Sequence, residues 1–152
     1  MEKIKANPFA IVIWVILSCV IHIILFKAKV DFDYKIWQRI LITIIAIIFT
    51  LPTHELIHFV FMKMFFKGDV KIKIIKDSLG IPTLATLAQG EAKKRQRIIM
   101  YLAPLVFLTL LPDIIFGFCT KVHLLFYIVP ICNSAGCFYD VVDALMVAKK
   151  NR

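Results

Sequence analysis

The chain has 152 residues, of which 61% are hydrophobic and only 19% are charged. Soluble domains average about half apolar and a quarter charged residues, so this composition indicates an integral membrane protein. Each helical span needs about 20 residues, so four spans with their connections leave no room for a separate soluble domain. The formal net charge of +9 comes from basic residues beside apolar runs, where they act as topology signals and lipid contacts. The charge therefore gives no case for nucleic-acid binding.

Four apolar runs with charged borders predict an all-α membrane protein that forms a single domain over residues 1–152. The predicted transmembrane helices cover residues 8–26, 40–62, 98–118 and 122–148. The first run is as long as a full span and lacks a small-residue cleavage site, so we expect an anchor and not a removable signal peptide.

Basic residues predict how the bundle is oriented. Fourteen lie in the N-terminal arm, in the segment from Lys63 to Arg97 and in the C-terminal tail, whereas five lie on the other side. Because cytoplasmic loops carry the excess of Lys and Arg, both termini and the long middle connection are expected in the cytoplasm. The predicted location is the cell membrane, with the lipid bilayer as the surrounding partner.

The middle connection predicts a short β-hairpin at the membrane face. Residues 69–76 read DVKIKIIK, with alternating apolar and basic side chains. Asp77, Ser78 and Gly80 supply turn residues, and IPTLATLA follows. The alternative is a basic surface ribbon without regular pairing.

The motif His54-Glu55-Leu56-Ile57-His58 has the H-E-x-x-H pattern of zinc peptidases. Histidines four residues apart share one helix face, roughly 6 Å apart, so both rings can reach one tetrahedral zinc ion. Glu55 points about 100° away and stays free to take a proton from water and pass it to a leaving amine. In a membrane span, two histidines and a carboxylate cost several kcal/mol unless they are paired or hydrated, which favours a functional site.

A catalytic zinc needs a third protein ligand, and depth in the membrane limits the candidates. His54 lies nine residues before Lys63 at the inner border of its span, or about 14 Å along the helix. Asp140 lies nine residues before Lys149, and Asp143 lies six residues before it. Both aspartates therefore match the depth of the histidines, and depth alone does not separate them.

The remaining polar groups at membrane depth are too far from the motif. Asp113 is expected about 22 Å from the inner border, as an outer-interface residue or a helix-start cap after Pro112. His22 and His123 lie near the outer ends of their spans and are expected to be interface histidines.

Residues 130–137, PICNSAGC, interrupt the last apolar run with a proline and small polar residues. Such a stretch is tolerated at membrane depth where protein or water satisfies the backbone, so it predicts a route for water. Asn133 shares a face with Asp140 and could donate a hydrogen bond to a substrate carbonyl, with helix packing as an equal alternative. The four cysteines are expected to be reduced packing residues, although two of them lie close enough to be spare zinc ligands: Cys132 and Cys137.

The motif, the basic hairpin-like segment, Ala103-Pro104, and Asn133 followed by Asp140 together resemble intramembrane zinc metalloproteases of the site-2 protease type. The small size is most similar to the compact bacterial zincin peptidases related to them. The resemblance covers most of residues 40–148 and leaves the first span outside. Its Asn-to-Asp spacing favours Asp140 over Asp143 as the third ligand.

The resemblance implies that the protein binds Zn²⁺ and cleaves a peptide bond in or near the membrane segment of a substrate protein. Residues 70–76 match the edge strand that pairs with an unwound substrate, since an intact helix hides its carbonyls. Two other functions are alternatives. One is a non-catalytic pseudoprotease or adaptor, and the other is a metal or proton transporter, which four spans without evident repeats make less attractive.

Overall fold

A computed structural model describes residues 8–26, 29–30, 33–76 and 82–149. Its elements follow in chain order, with one π turn inside the third long helix: α1 Pro8–Phe26, α2 Ile36–Phe65, β1 Val70–Lys76, β2 Pro82–Ala88, α3 Lys94–Leu105, the π turn Val106–Leu110, α4 Leu111–Phe118, α5 Leu124–Gly136 and α6 Phe138–Lys149. The protein is mainly helical with one small hairpin, as the sequence predicts.

Among the described residues, three helical segments are long and apolar enough to cross a membrane: α1, α2 and the continuous helix Lys94–Phe118. The pair α5 and α6 also qualifies by composition, but it bends by 48° and makes a fourth span only if the two helices are counted together. The first predicted span coincides with α1. The second and third helical segments are several residues longer than the predicted spans, because charged residues such as Lys63 and Lys94 continue the helices.

The predicted hairpin is present. Strands β1 and β2 pair antiparallel, with Val70 opposite Ala88 and Ile74 opposite Leu84. The predicted turn at residues 77–80 lies outside the described residues, as do the N-terminal arm and the end of the tail. At the base of the hairpin the Gln89 amide donates to the Asp69 carbonyl at 2.9 Å.

Two prolines and one break shape the helices around the centre of the molecule. Pro104 lies inside α3, two residues before the start of the π turn, and Pro130 lies inside α5; both side chains are almost completely buried. The chain bends between α5 and α6 at Cys137. Backbone groups freed by prolines and breaks need other partners at membrane depth, and side chains of neighbouring helices can supply them.

Helix packing brings the motif helix to the middle of the bundle. Helix α2 packs against α3, α5 and strand β2, while α6 packs against α3 and α1 against α5. A small apolar cluster closes the end of the molecule near the start of α5, formed by Val30, Val122, Leu124 and Tyr127. Most other large apolar side chains on the helices are exposed, as expected for surfaces that face lipid.

Candidate metal centre

Three side chains from two helices meet at one point. His54 and His58 of α2 place their Nε2 atoms 3.2 Å apart. Asp140 of α6 reaches both rings, with Oδ2 at 3.1 Å from Nε2 of His54 and Oδ1 at 3.2 Å from Nε2 of His58. The side chains keep 13%, 7% and 16% of their surfaces exposed, respectively. The structure therefore brings together the two motif histidines and one of the two candidate aspartates.

The other ring nitrogens fix the hydrogen positions. Nδ1 of His58 lies 3.0 Å from the Met100 carbonyl oxygen, and Nδ1 of His54 lies 2.9 Å from Oδ1 of Asn133. Carbonyl oxygens only accept, so both rings must carry their hydrogen on Nδ1. In the neutral rings the Nε2 lone pairs then face each other and the carboxylate of Asp140.

Such an arrangement fits a divalent cation. Two ring nitrogens and the two oxygens of one carboxylate converge here. With both rings neutral no hydrogen lies between these lone pairs, so they would repel, and a zinc ion would convert this repulsion into ligation. The two ring nitrogens lie 3.2 Å apart, close to the edge of a tetrahedron around zinc, which is about 3.3 Å for bonds near 2.05 Å. Each ring nitrogen also lies 3.1–3.2 Å from a different oxygen of Asp140, so this carboxylate is within reach of the same ion. Two neutral imidazoles and one carboxylate are also a ligand set that catalytic zinc sites use.

Glu55 lies beside this group, and the hairpin holds its side chain. Its Oε2 accepts from the Thr86 amide at 2.8 Å, and the Thr86 hydroxyl lies 2.9 Å from both that oxygen and the Glu55 carbonyl oxygen. The hydroxyl has one hydrogen and can donate to only one of them at a time. Strand β2 thus orients the carboxylate, a role for Thr86 that the sequence did not indicate.

Asn133 lies behind His54 instead of in front of the three ligands. Its Nδ2 donates to the Pro104 carbonyl at 2.9 Å and contacts Oγ1 of Thr109 at 3.0 Å, so its Oδ1 is the atom that faces His54. The residue is only 1% exposed. These contacts occupy the amide that we expected to donate to a substrate carbonyl, because the π turn brings Thr109 next to it.

Asp143 and the two nearby cysteines stand outside the three-residue group. Among the described residues, the possible metal-binding group consists of His54, His58 and Asp140 alone. Cys137 is fully buried, and its Sγ lies 4.0 Å from Nδ1 of His54, on the side of the ring away from Asp140. This position agrees with a packing role for Cys137.

The outer polar residues find partners that the sequence did not predict. Nε2 of His22 lies 3.2 Å from Oδ2 of Asp113, and Nδ1 of His22 lies 2.8 Å from the Ser18 carbonyl oxygen. These contacts join α1 to α4. His123 precedes α5, and its Nδ1 accepts from the Leu125 amide at 3.2 Å. It therefore caps that helix.

The chain also matches a known protein family. Residues 47–152 match the family described as "Putative zincin peptidase". That match covers more than half of the chain, including the motif, the hairpin and the last two helices, so the chain belongs to this family. No curated protein and no solved structure matches the chain.

Proposed function

We propose that the protein is an intramembrane zinc peptidase that hydrolyses a peptide bond in or near the membrane segment of another protein. The observation that carries the proposal is the convergence of His54, His58 and Asp140 on helices of membrane-spanning length, in a chain that belongs to a zincin peptidase family. Ionisable groups at membrane depth are costly, which supports a functional role for them.

In this proposal His54, His58 and Asp140 hold the zinc ion. Zinc supplies Lewis-acid chemistry, which polarises a carbonyl and makes water a nucleophile near neutral pH. Glu55 takes the proton of the attacking water and returns it to the amine that leaves. Thr86 holds one oxygen of that carboxylate, which limits its movement before the proton transfer.

The hairpin is the proposed place where substrate binds. An unwound segment needs main-chain partners at membrane depth, and addition to a strand edge supplies them. Strand β1 pairs with β2 along one edge in the two-stranded sheet of the described residues. Its other edge, over residues 70–76, is therefore proposed to take the substrate, while β2 contacts the site through Thr86.

The test compares the wild type with Glu55→Gln in purified full-length protein reconstituted into liposomes. We expect both proteins to bind zinc, because Glu55 is not one of the converging ligands, and we expect cleavage of a membrane-segment peptide to fall by about 10²–10⁴-fold in the variant. Metal content is measured by mass spectrometry and cleavage by the appearance of new peptide termini.

A second variant, His54→Ala, separates the proposed function from its alternatives. Loss of zinc together with loss of cleavage supports the peptidase. Equal cleavage by wild type and Glu55→Gln would reject the mechanism. Zinc flux into liposomes without cleavage would instead identify a transporter. A wild type that holds no zinc, and whose function is unaltered by His54→Ala, would identify an adaptor.

A further inference from the structure

Pro104 is connected to the groups that contact both histidines of the metal centre. It lies inside α3, two residues before the π turn begins at Val106, and its side chain is almost completely buried. Proline is strongly unfavourable in a helix interior relative to alanine. Its occurrence beside the metal centre therefore calls for a compensating role.

The first link runs to His58 through the Met100 carbonyl. In a regular α-helix the amide of residue 104 would donate to this carbonyl, four residues earlier. Proline has no amide hydrogen, and its ring pushes the carbonyl of the fourth preceding residue away from the helix axis. The Met100 carbonyl is instead the acceptor for Nδ1 of His58, at 3.0 Å. Pro104 thus makes this carbonyl available to the ligand ring.

The second link runs to His54 through Asn133. The Pro104 carbonyl accepts from Nδ2 of Asn133 at 2.9 Å, and Oγ1 of Thr109 lies 3.0 Å from the same nitrogen. The Thr109 hydroxyl donates to the Pro130 carbonyl at 3.3 Å, so its oxygen acts as an acceptor towards Asn133. With its nitrogen held by two acceptors, the Asn133 amide can present only its oxygen to Nδ1 of His54.

We propose that Pro104 is a positioning residue for the metal centre, which keeps both histidine ligands in the Nδ1–H form with their Nε2 lone pairs turned towards Asp140. The inference rests on the proposed function, because it assigns a purpose to residues that surround its zinc site. Partners that orient a ligating histidine typically contribute 10- to 100-fold to metal affinity. Pro104 is thus linked to both ligands, to His58 through the Met100 carbonyl and to His54 through Asn133.

The experiment measures zinc affinity of the purified full-length protein in lipid nanodiscs, by competition with a chromophoric chelator. Pro104→Ala restores an amide hydrogen at position 104 and lets the Met100 carbonyl return to the helix ladder, so we expect affinity to fall by about 10- to 100-fold. Pro112→Ala is the matched control. It also removes a proline from the helical segment Lys94–Phe118 but lies past the π turn, and its affinity should equal that of the wild type.

Cobalt(II) spectra give a second readout, because the visible absorption of cobalt reports the geometry of its ligands. An altered spectrum for Pro104→Ala, with a wild-type spectrum for Pro112→Ala, supports the inference. Unchanged affinity and spectrum in a folded Pro104→Ala protein would overturn it. A wild type that binds neither metal would overturn the proposed function, and this inference with it.

Thr109 provides a test that leaves the backbone intact, should Pro104→Ala fail to give a monodisperse helical protein. Thr109→Val removes one of the two acceptors that hold the Asn133 amide, whereas Thr109→Ser keeps it. We expect weaker zinc binding for the valine variant and recovery with serine. Equal affinity for the valine variant and the wild type would contradict the inferred positioning of His54 through the Asn133 amide.

Discussion

At the scale of single residues, the most direct link between the hairpin and the proposed chemistry is the contact of Thr86 with Glu55, the proposed general base. Thr86 provides two contacts to one carboxylate oxygen of Glu55, at 2.8 Å from its amide and 2.9 Å from its hydroxyl. A carboxylate that must receive a proton works best when its position is fixed beforehand. The hydroxyl is therefore expected to contribute to turnover more than to substrate binding.

Replacement of Thr86 by valine tests this contribution. Valine keeps the branched shape but removes the hydroxyl, and we expect kcat to fall roughly ten-fold, the equivalent of about 1.4 kcal/mol, with little change in KM. Thr86→Ser keeps the hydroxyl and should recover most of the rate. Steady-state cleavage kinetics in liposomes measure both constants. A parallel rise of KM in both variants would point to a role in substrate binding.

Single residues also show which features of the site the sequence predicts and which it does not. The spacing of His54 and His58 follows from helix geometry, and equal distances to the inner border bring Asp140 to the same depth. Depth in the membrane alone does not decide whether Asp140 or Asp143 is the third ligand. The roles of Thr86 and Thr109 depend on how a strand packs on α2 and on a π turn, neither of which leaves a local pattern in the sequence.

At the scale of elements, the base of the hairpin is fixed by a close approach at Gly68. A Cβ at this position would lie 2.2 Å from the Gln89 carbonyl oxygen, which is backbone and cannot move aside without moving the strand end. Gln89 directly follows β2, the strand that carries Thr86. Gly68 therefore allows the hairpin to close in the register that brings Thr86 into hydrogen-bond contact with the Glu55 carboxylate.

Gly68→Ala is expected to loosen the contact between hairpin and site. The added methyl group forces the strand ends apart, so the Thr86 amide should exchange its hydrogen faster and cleavage should slow. Gly117→Ala is the matched control, since a Cβ there meets nothing within 4 Å. Hydrogen–deuterium exchange followed by mass spectrometry measures the hairpin peptides. Identical exchange in both variants would show that the hairpin tolerates the extra group.

Elements differ in how well sequence defines them. The ends of α1 and of both strands follow from hydropathy and alternation, because each element is long and periodic. The 48° bend between α5 and α6 is harder to predict from the sequence. Pro130 and the small residues after it indicate an interruption, but the bend occurs at Cys137, whose amide still donates to the Asn133 carbonyl at 2.9 Å. Tertiary packing of α6 against α3 accompanies this change of direction.

At the scale of the whole molecule, α1 lies outside the residues that match the family but is attached at two levels to the part that matches. Nε1 of Trp14 donates to the Ser134 carbonyl at 2.7 Å, beside Asn133, and its ring meets Phe138 edge-on at 6.1 Å between centroids. His22 pairs with Asp113 at the other level. The first helix therefore supports the bend between α5 and α6 from outside.

The orientation of this assembly decides from which side a substrate reaches the metal centre. Fourteen basic residues against five favour a cytoplasmic hairpin, and the converging ligands lie near the hairpin end of α2. We expect a membrane-impermeant maleimide to label Lys121→Cys in intact cells and Lys71→Cys only after permeabilisation. The side chains of Lys71 and Lys121 are both exposed, so a difference in labelling would report the side of the membrane and not burial within the protein.

The labelling uses a background in which the four native cysteines are replaced, and retained zinc binding shows that the loss of Cys137 has left the centre intact. The reverse labelling pattern would place the hairpin and the proposed substrate edge on the outer side of the membrane. Water and unwound substrate would then reach Glu55 from outside, and the positive charges of the hairpin would have to be explained by contacts other than the cytoplasmic lipid surface.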